Sequence, residues 1–189
     1  MTVAVLALQG AFIEHEQILS RLGVHCVELR KSEDLNQPYD GLILPGGEST
    51  VQGKLLKELG MFDRLKKQIN EGLPVLGTCA GMILLAKETE NDDRSYFQSL
   101  PVVVKRNAYG RQLGSFYTKG EVKGIGTVPM TFIRAPYVSR VGKDVEILSK
   151  VEEHIVAVQY RNQLAFSFHP ELDEDLSIHR FFLQMLKNS

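Results

Sequence analysis

Residues 73–88, LPVLGTCAGMILLAKE, set the tightest limit on the fold. They read as a short buried strand at Pro74-Val75-Leu76, a turn at Gly77-Thr78-Cys79-Ala80-Gly81, and a helix whose apolar face carries Met82, Leu84, Leu85 and Ala86. A strand that passes so abruptly into a helix leaves one side chain pointing out at the apex. Gly77 and Gly81 supply the small neighbours that a tight backbone needs there. This is the physics of a nucleophile elbow, with cysteine at its centre instead of serine. A thiol at a helix N-terminus also meets partial positive charge that favours the thiolate. The competing reading is a small buried cysteine in a Gly-rich turn; the paired glycines and the strand-to-helix switch favour the nucleophile.

The preceding residues repeat the same alternation. Val3 to Leu8 is a continuous apolar run, expected of a central strand covered on both faces. A helix from about Phe12 to Leu22 follows, stopped by Gly23, and Val24 to Leu29 reads as a second strand that buries Cys26. Gly41 to Leu44 is a third strand, running into Pro45-Gly46-Gly47-Glu48-Ser49-Thr50; helices at about 50–59 and 61–71 lead to the cysteine turn. Strand and helix in alternation predict a mostly parallel central sheet flanked by helices. Ligands of such sheets bind at the carboxyl ends of the strands. Gln9, Gly46-Gly47 and Cys79 all follow strand ends and are expected on one edge.

The second half changes character. Short strands are expected at 102–106, 115–122, 131–134, 145–151, 155–160 and 164–168, several joined as hairpins, so the sheet gains an antiparallel extension. Asn91 to Ser99 is polar and reads as a surface loop. Ile178, Phe181, Phe182, Met185 and Leu186 recur at helical spacing and predict a closing helix that packs on the sheet. At 189 residues the chain suits one domain, 1–189.

Composition narrows the function. A net charge of −1 gives no electrostatic case for nucleic acid or an acidic membrane. Two cysteines make no disulfide framework, no cluster has the spacing of a zinc site, and no metal is expected. Val3 to Leu8 is too short to span a bilayer, and no basic leader precedes an apolar signal segment, so a reducing cytoplasm is the expected location.

Chemistry gathers at two further places. Phe168-His169-Pro170-Glu171 ends the last expected strand. Proline biases His169 towards extended backbone, where residues i and i+2 share a side, so Glu171 can reach the imidazole. A carboxylate on one ring nitrogen frees the other to take a proton from a thiol, which gives a Cys–His–Glu relay. Taken alone, His-Pro-Glu could be a surface turn. Gly46-Gly47 lets backbone N–H groups face a cavity, and the N–H groups of Gly47 and Ala80 are the expected oxyanion hole. The competing reading there is a plain turn in which Ser49 caps the following helix.

With these residues assembled, the chain resembles the class I, triad-type glutamine amidotransferases of flavodoxin-like fold. More narrowly it is similar to the glutaminase subunits of pyridoxal 5′-phosphate synthase. The resemblance rests on LALQGAFIEH, LPGGEST, GTCAGMILLA, RNAYGRQLGSF, FIRAPY and SFHPEL, and spans nearly the whole chain. It implies Cys79 as nucleophile, His169 as base and Glu171 as its orienting carboxylate. It implies an L-glutamine site made by Gly47, Glu48, Ser49, Arg106, Ile133 and Arg134. An arginine suits the substrate's α-carboxylate, although a structural salt bridge is the alternative for Arg106 and Arg134. Gln9 falls in the segment that responds to the partner in this family. The implied reaction is hydrolysis of glutamine to glutamate and ammonia through a thioester. The ammonia passes to a separate synthase subunit that builds pyridoxal 5′-phosphate from ribose 5-phosphate and glyceraldehyde 3-phosphate. No cofactor is expected on this chain, which has no recognisable Schiff-base lysine or phosphate loop. The alternatives are the glutaminase of another pathway, such as imidazole glycerol phosphate synthase, a cysteine peptidase-like hydrolase, and a glutaminase-like subunit without catalysis. The glycine pair also suggests a control point: a backbone peptide next to Gly46-Gly47 can flip between N–H-in and C=O-in arrangements, so the chain alone is expected to turn glutamine over slowly until the synthase docks near Gln9 and the 46–50 loop.

Overall fold

The computed structural model describes residues 1–90, 92–106 and 115–188. Most of the RNAYGRQLGSF block and the first residue of the 91–99 segment therefore lie outside the described residues. In chain order the first half runs β1 (Thr2–Leu6), α1 (Phe12–Arg21), β2 (His25–Leu29), β3 (Gly41–Leu44), α2 (Ser49–Glu58), α3 (Phe62–Asn70), β4 (Val75–Thr78) and α4 (Ala80–Leu85). Then come β5 (Ala86–Thr89), β6 (Leu100–Lys105), β7 (Ser115–Val122), β8 (Gly126–Ile133) and β9 (Tyr137–Val141). The chain closes with β10 (Glu146–Val151), β11 (His154–Tyr160), β12 (Gln163–Phe166) and α5 (Ser177–Lys187).

Among the described residues, ten strands form one sheet with the order β2-β1-β3-β4-β12-β11-β9-β6-β5, and β10 pairs with β11. From β2 to β12 every pairing is parallel. The reversal comes at β11, antiparallel to both β12 and β9, and β9 is antiparallel to β6. Antiparallel β7 and β8 form a separate hairpin. This is the expected parallel core with an antiparallel extension.

Alternation along the strands divides the core in two. Ala4 and Leu6 of β1 face the side covered by Leu56, Leu65 and Ile69 of α2 and α3, whereas Val3 and Val5 face Leu19 of α1 and Phe182 of α5. With both faces covered, β1, β3 and β4 are buried along nearly their whole length and carry mostly apolar residues. The hairpin lies on the α1/α5 side, with Phe116 stacked on Phe132 at 4.5 Å and Phe132 against Phe168 at 5.5 Å.

Three expectations are corrected. The helix after Cys79 ends at Leu85, and Ala86–Thr89 is a strand in parallel pairing with β6. Ala, Lys and Glu favour helix by propensity, but a free sheet edge beside them decides otherwise. β9, not foreseen, inserts between β6 and β11. Cys26 is only partly buried, and its thiol pKa is pushed up to about 12, first by burial and then by the charges of Glu16 and Glu28.

Candidate active site

The register of the parallel strands brings the chemistry together. Leu44 pairs with Gly77, and Thr78 pairs with Phe166, so the segments that leave β3, β4 and β12 emerge side by side. Cys79 is anchored by its N–H donating to the Phe166 carbonyl at 2.8 Å. Its backbone stands at φ 48 and ψ −101, a combination that a non-glycine residue adopts only under constraint. Gly81 is required by contact, since a Cβ there would lie 2.0 Å from the Leu44 carbonyl oxygen. The elbow is therefore wedged against β3, and the thiol, 6% exposed, opens on a cleft of ≈ 320 Å³. Gln9, Gly47, Glu48, Ser49, Arg106, Ile133, Arg134 and His169 line that cleft with it.

His169 is fixed by its N–H donating to the Thr131 carbonyl at 2.8 Å. Its Nδ1 lies 2.7 Å from Glu171 Oε1. The geometry is reached by a different route from the expected one, because Pro170–Leu172 is a 3₁₀ turn that curls the carboxylate back under the ring. Burial acts on His169 most strongly and lowers its pKa; hydrogen bonds with Cys79 and Glu171, with their charges, outweigh it and raise the pKa to about 10. The ring thus holds its proton at neutral pH. Burial likewise raises the pKa of Glu171, against the pull of His169.

The Gly46 carbonyl accepts from the Ala11 N–H at 3.0 Å. A trans peptide sets C=O and N–H on opposite sides, so the Gly47 N–H is turned away from Ala11. The Gly10-Ala11 turn thus takes up the Gly46 oxygen in this arrangement of the peptide. Neither Gly47 nor Ala80 has a partner for its N–H among the described residues. Gln9 braces the same loop: its Oε1 accepts from the Glu48 N–H at 2.8 Å and its carbonyl accepts from Gln52 Nε2 at 2.9 Å.

Ser49 does not cap α2. Glu48 takes that position and accepts from the Thr50 hydroxyl at 3.0 Å, leaving the buried Ser49 Oγ in the cleft without a hydrogen bond among the described residues. Arg106 does make salt bridges, to Glu48 at 2.8 Å and Asp92 at 3.3 Å. Arg134, at φ 44, is exposed at the end of β8 and has no acidic partner among the described residues. The Ile133 carbonyl lies 4.0 Å from Cys79 Sγ.

The structure adds residues that the sequence did not single out. Asp92 steadies Arg106, and Thr78 Oγ1 accepts from the Gly46 N–H at 3.0 Å. His15 and His179 lie fully buried behind Glu171. Their signal was available: each occupies a core-facing position on an amphipathic helix, beside Ile18 and Leu19 in one case and Ile178 and Phe182 in the other.

Residues 5–188 match the SNO glutamine amidotransferase family. The chain belongs to that family. A relative from Desulfitobacterium hafniense (strain DSM 10664 / DCB-2) is 63% identical over 98% of this chain and 94% of its own length, and is named pyridoxal 5′-phosphate synthase subunit PdxT. One of the same name from Haemophilus influenzae (strain PittGG) is 55% identical over 99% of both chains. A solved glutamine amidotransferase superimposes with a TM-score of 0.93 at 46% identity, covering 98% of each chain. A second, from Thermotoga maritima, shares the fold at 17% identity and a TM-score of 0.65, over 100% of this chain and 84% of its own. Among the described residues no helix is long and apolar enough to cross a membrane, and no group of His, Cys, Asp and Glu is arranged to hold a metal ion.

Proposed function

We propose that this chain is the glutaminase subunit of a pyridoxal 5′-phosphate synthase, acting as one domain and supplying ammonia to a separate synthase subunit. Family membership and the names of the close relatives support the pathway. One observation carries the chemistry: a strained Cys79 that shares its cleft with His169, whose Nδ1 is held 2.7 Å from a buried Glu171.

In this reading the Cys79 sulfur attacks the side-chain amide carbon of glutamine, and His169 holds the proton. The amide oxygen becomes an oxyanion facing the N–H groups of Gly47 and Ala80. As the C–N bond breaks, His169 gives its proton to the leaving nitrogen and ammonia departs, leaving a thioester on Cys79. Neutral His169 then takes a proton from water, which attacks the thioester carbon and releases glutamate. Arg106 and Arg134 meet the substrate's α-carboxylate, Ser49 Oγ and the Glu48 carboxylate meet its polar atoms, and Ile133 covers its stem. The mechanism calls for no metal or cofactor. The reduced thiols Cys26 and Cys79 suit a reducing cytoplasm.

The test is glutamate formation with and without a saturating synthase subunit, for the wild type and for Cys79→Ala. Partner-dependent turnover that Cys79→Ala abolishes is expected; turnover retained by Cys79→Ala overturns the reading.

A further inference from the structure

Glu171 presents a problem of satisfaction. Its side chain is fully buried, and Oε1 is taken by His169. Oε2 has no hydrogen-bond partner among the described residues. An ionised oxygen left this way is expensive. Beside the Glu171 backbone N–H, which also acts on this carboxylate, a donor-capable side-chain atom facing Oε2 is His15 Nε2, at 3.5 Å. The same Nε2 lies 3.2 Å from Thr78 Oγ1, and His15 Nδ1 lies 2.8 Å from His179 Nε2.

Both histidines are held neutral. Burial, then the charges of His179 and His169, push the pKa of His15 well down; burial takes that of His179 to about 4, with Asp175 opposing it. A neutral imidazole has one N–H, so only two arrangements of the pair need weighing. If His15 carried its proton on Nδ1, a lone pair would face the Glu171 carboxylate. His179 would then carry its proton on Nδ1, which is buried without a partner. If His15 carries it on Nε2, an N–H faces Oε2, His179 Nε2–H donates to His15 Nδ1, and the atom left unpartnered is an acceptor. In the second, the Nε2–H is shared between Thr78 Oγ1 at 3.2 Å and Glu171 Oε2 at 3.5 Å, and no carboxylate oxygen faces a lone pair and no buried N–H of the pair is stranded, so it costs less.

We propose that His15, its tautomer set by His179, is a positioning residue of the glutaminase: its Nε2–H faces Glu171 Oε2 and holds the carboxylate where Oε1 meets the His169 ring. The inference rests on the triad reading above and extends it one layer inward, so that the order of contact is His179, His15, Glu171, His169, Cys79. His15 lies on α1, four residues beyond the Ala11 N–H that holds the Gly46 carbonyl. One short segment thus supports both the carboxylate and the oxyanion loop.

The test uses the complex with the synthase subunit. His15→Leu removes the donor at similar volume, and His15→Gln returns an N–H near the Nε2 position. Truncation leaves a buried charge short of a donor, so kcat is expected to fall about 10- to 100-fold, with KM within about twofold. His15→Gln recovers most of the loss. In a Glu171→Gln background His15→Leu adds less than about twofold, because the charge it serves is gone. Full kcat in folded His15→Leu, or equal losses in the Leu and Gln variants, overturns the proposal. Should the Leu variant fail to fold, ring ¹⁵N shifts of wild-type His15 decide: protonation on Nε2 supports the proposal, and protonation on Nδ1 overturns it. Cys79→Ala, run in parallel, separates the two claims. Activity retained there sinks the triad itself, whereas a dead Cys79→Ala beside a fully active His15→Leu sinks only the role of His15.

Discussion

Gly46 offers a sharp probe of the site because it touches His169, the proposed base, and has no side chain of its own to do chemistry. A Cβ at this position would lie 2.2 Å from His169 Cε1 and 2.6 Å from Nδ1. Non-bonded carbons settle at about 3.5 Å or more, so Gly46→Ala must open a gap of about 3.5 − 2.2 ≈ 1.3 Å. The β3–α2 loop cannot supply all of it, because Ala11 and Thr78 hold both polar groups of Gly46 at 3.0 Å. Most of the displacement therefore falls on the imidazole. A shift of that size takes Nδ1 off Glu171 Oε1, now 2.7 Å away, and turns Nε2 from the thiol. Misplacement by about 1 Å costs on the order of 10²-fold, so Gly46→Ala should lose about that much kcat while the cleft still binds glutamine. The assay is steady-state glutamate formation with a saturating synthase subunit, alongside thermal melting to show that the variant is folded. A folded Gly46→Ala within about threefold of wild-type kcat would show that His169 tolerates the shift and that its placement does not limit turnover.

Three further outcomes follow from the same geometry. His169→Asn should abolish turnover, and Glu171→Gln should lower kcat by up to about 10⁴-fold; a silent Glu171→Gln in steady-state assays would assign the carboxylate elsewhere. Arg106→Ala should raise KM for glutamine by about 10- to 100-fold, the worth of a lost charge-assisted contact, and an unchanged KM would make its pairing with Glu48 and Asp92 purely structural. The pH dependence of stability follows His169. Its pKa rises from 6.5 to about 10 on folding, so the stability it contributes is full below pH 6.5 and is lost as pH rises through about 10. Melting temperatures should therefore fall over that window more steeply in the wild type than in His169→Asn, and parallel curves would contradict the ion-paired imidazole.

Much of this site was legible because it lies where short-range signals are strongest. β1, β3 and β4 are mostly apolar and buried runs, and each gives way to the glycine or small residues that its turn requires. Cys79, Gly46-Gly47 and His169 inherit their common edge from that pattern. What escaped is what tertiary contact decides. Ala86–Thr89 has helical propensity and becomes a strand beside β6; Tyr137–Val141 alternates too weakly to announce a strand that its two neighbours create. The cap that the competing reading gave to Ser49 is made by Glu48. Glu171 was placed beside His169 for a reason the backbone does not use, since a 3₁₀ turn brings it there. His15 and His179 stand 164 residues apart, and no local pattern says that two core-facing histidines will meet behind a carboxylate.

Whether Cys79 carries the glutamyl group is decided by covalent labelling. The wild-type complex is incubated with a diazoketone analogue of glutamine, and the modified peptide is mapped by mass spectrometry. One adduct is expected, on Cys79, suppressed by excess glutamine and absent from His169→Asn, with Cys26 unmodified. Labelling of Cys26, or loss of glutaminase activity with Cys79 unmodified, would contradict that role of Cys79.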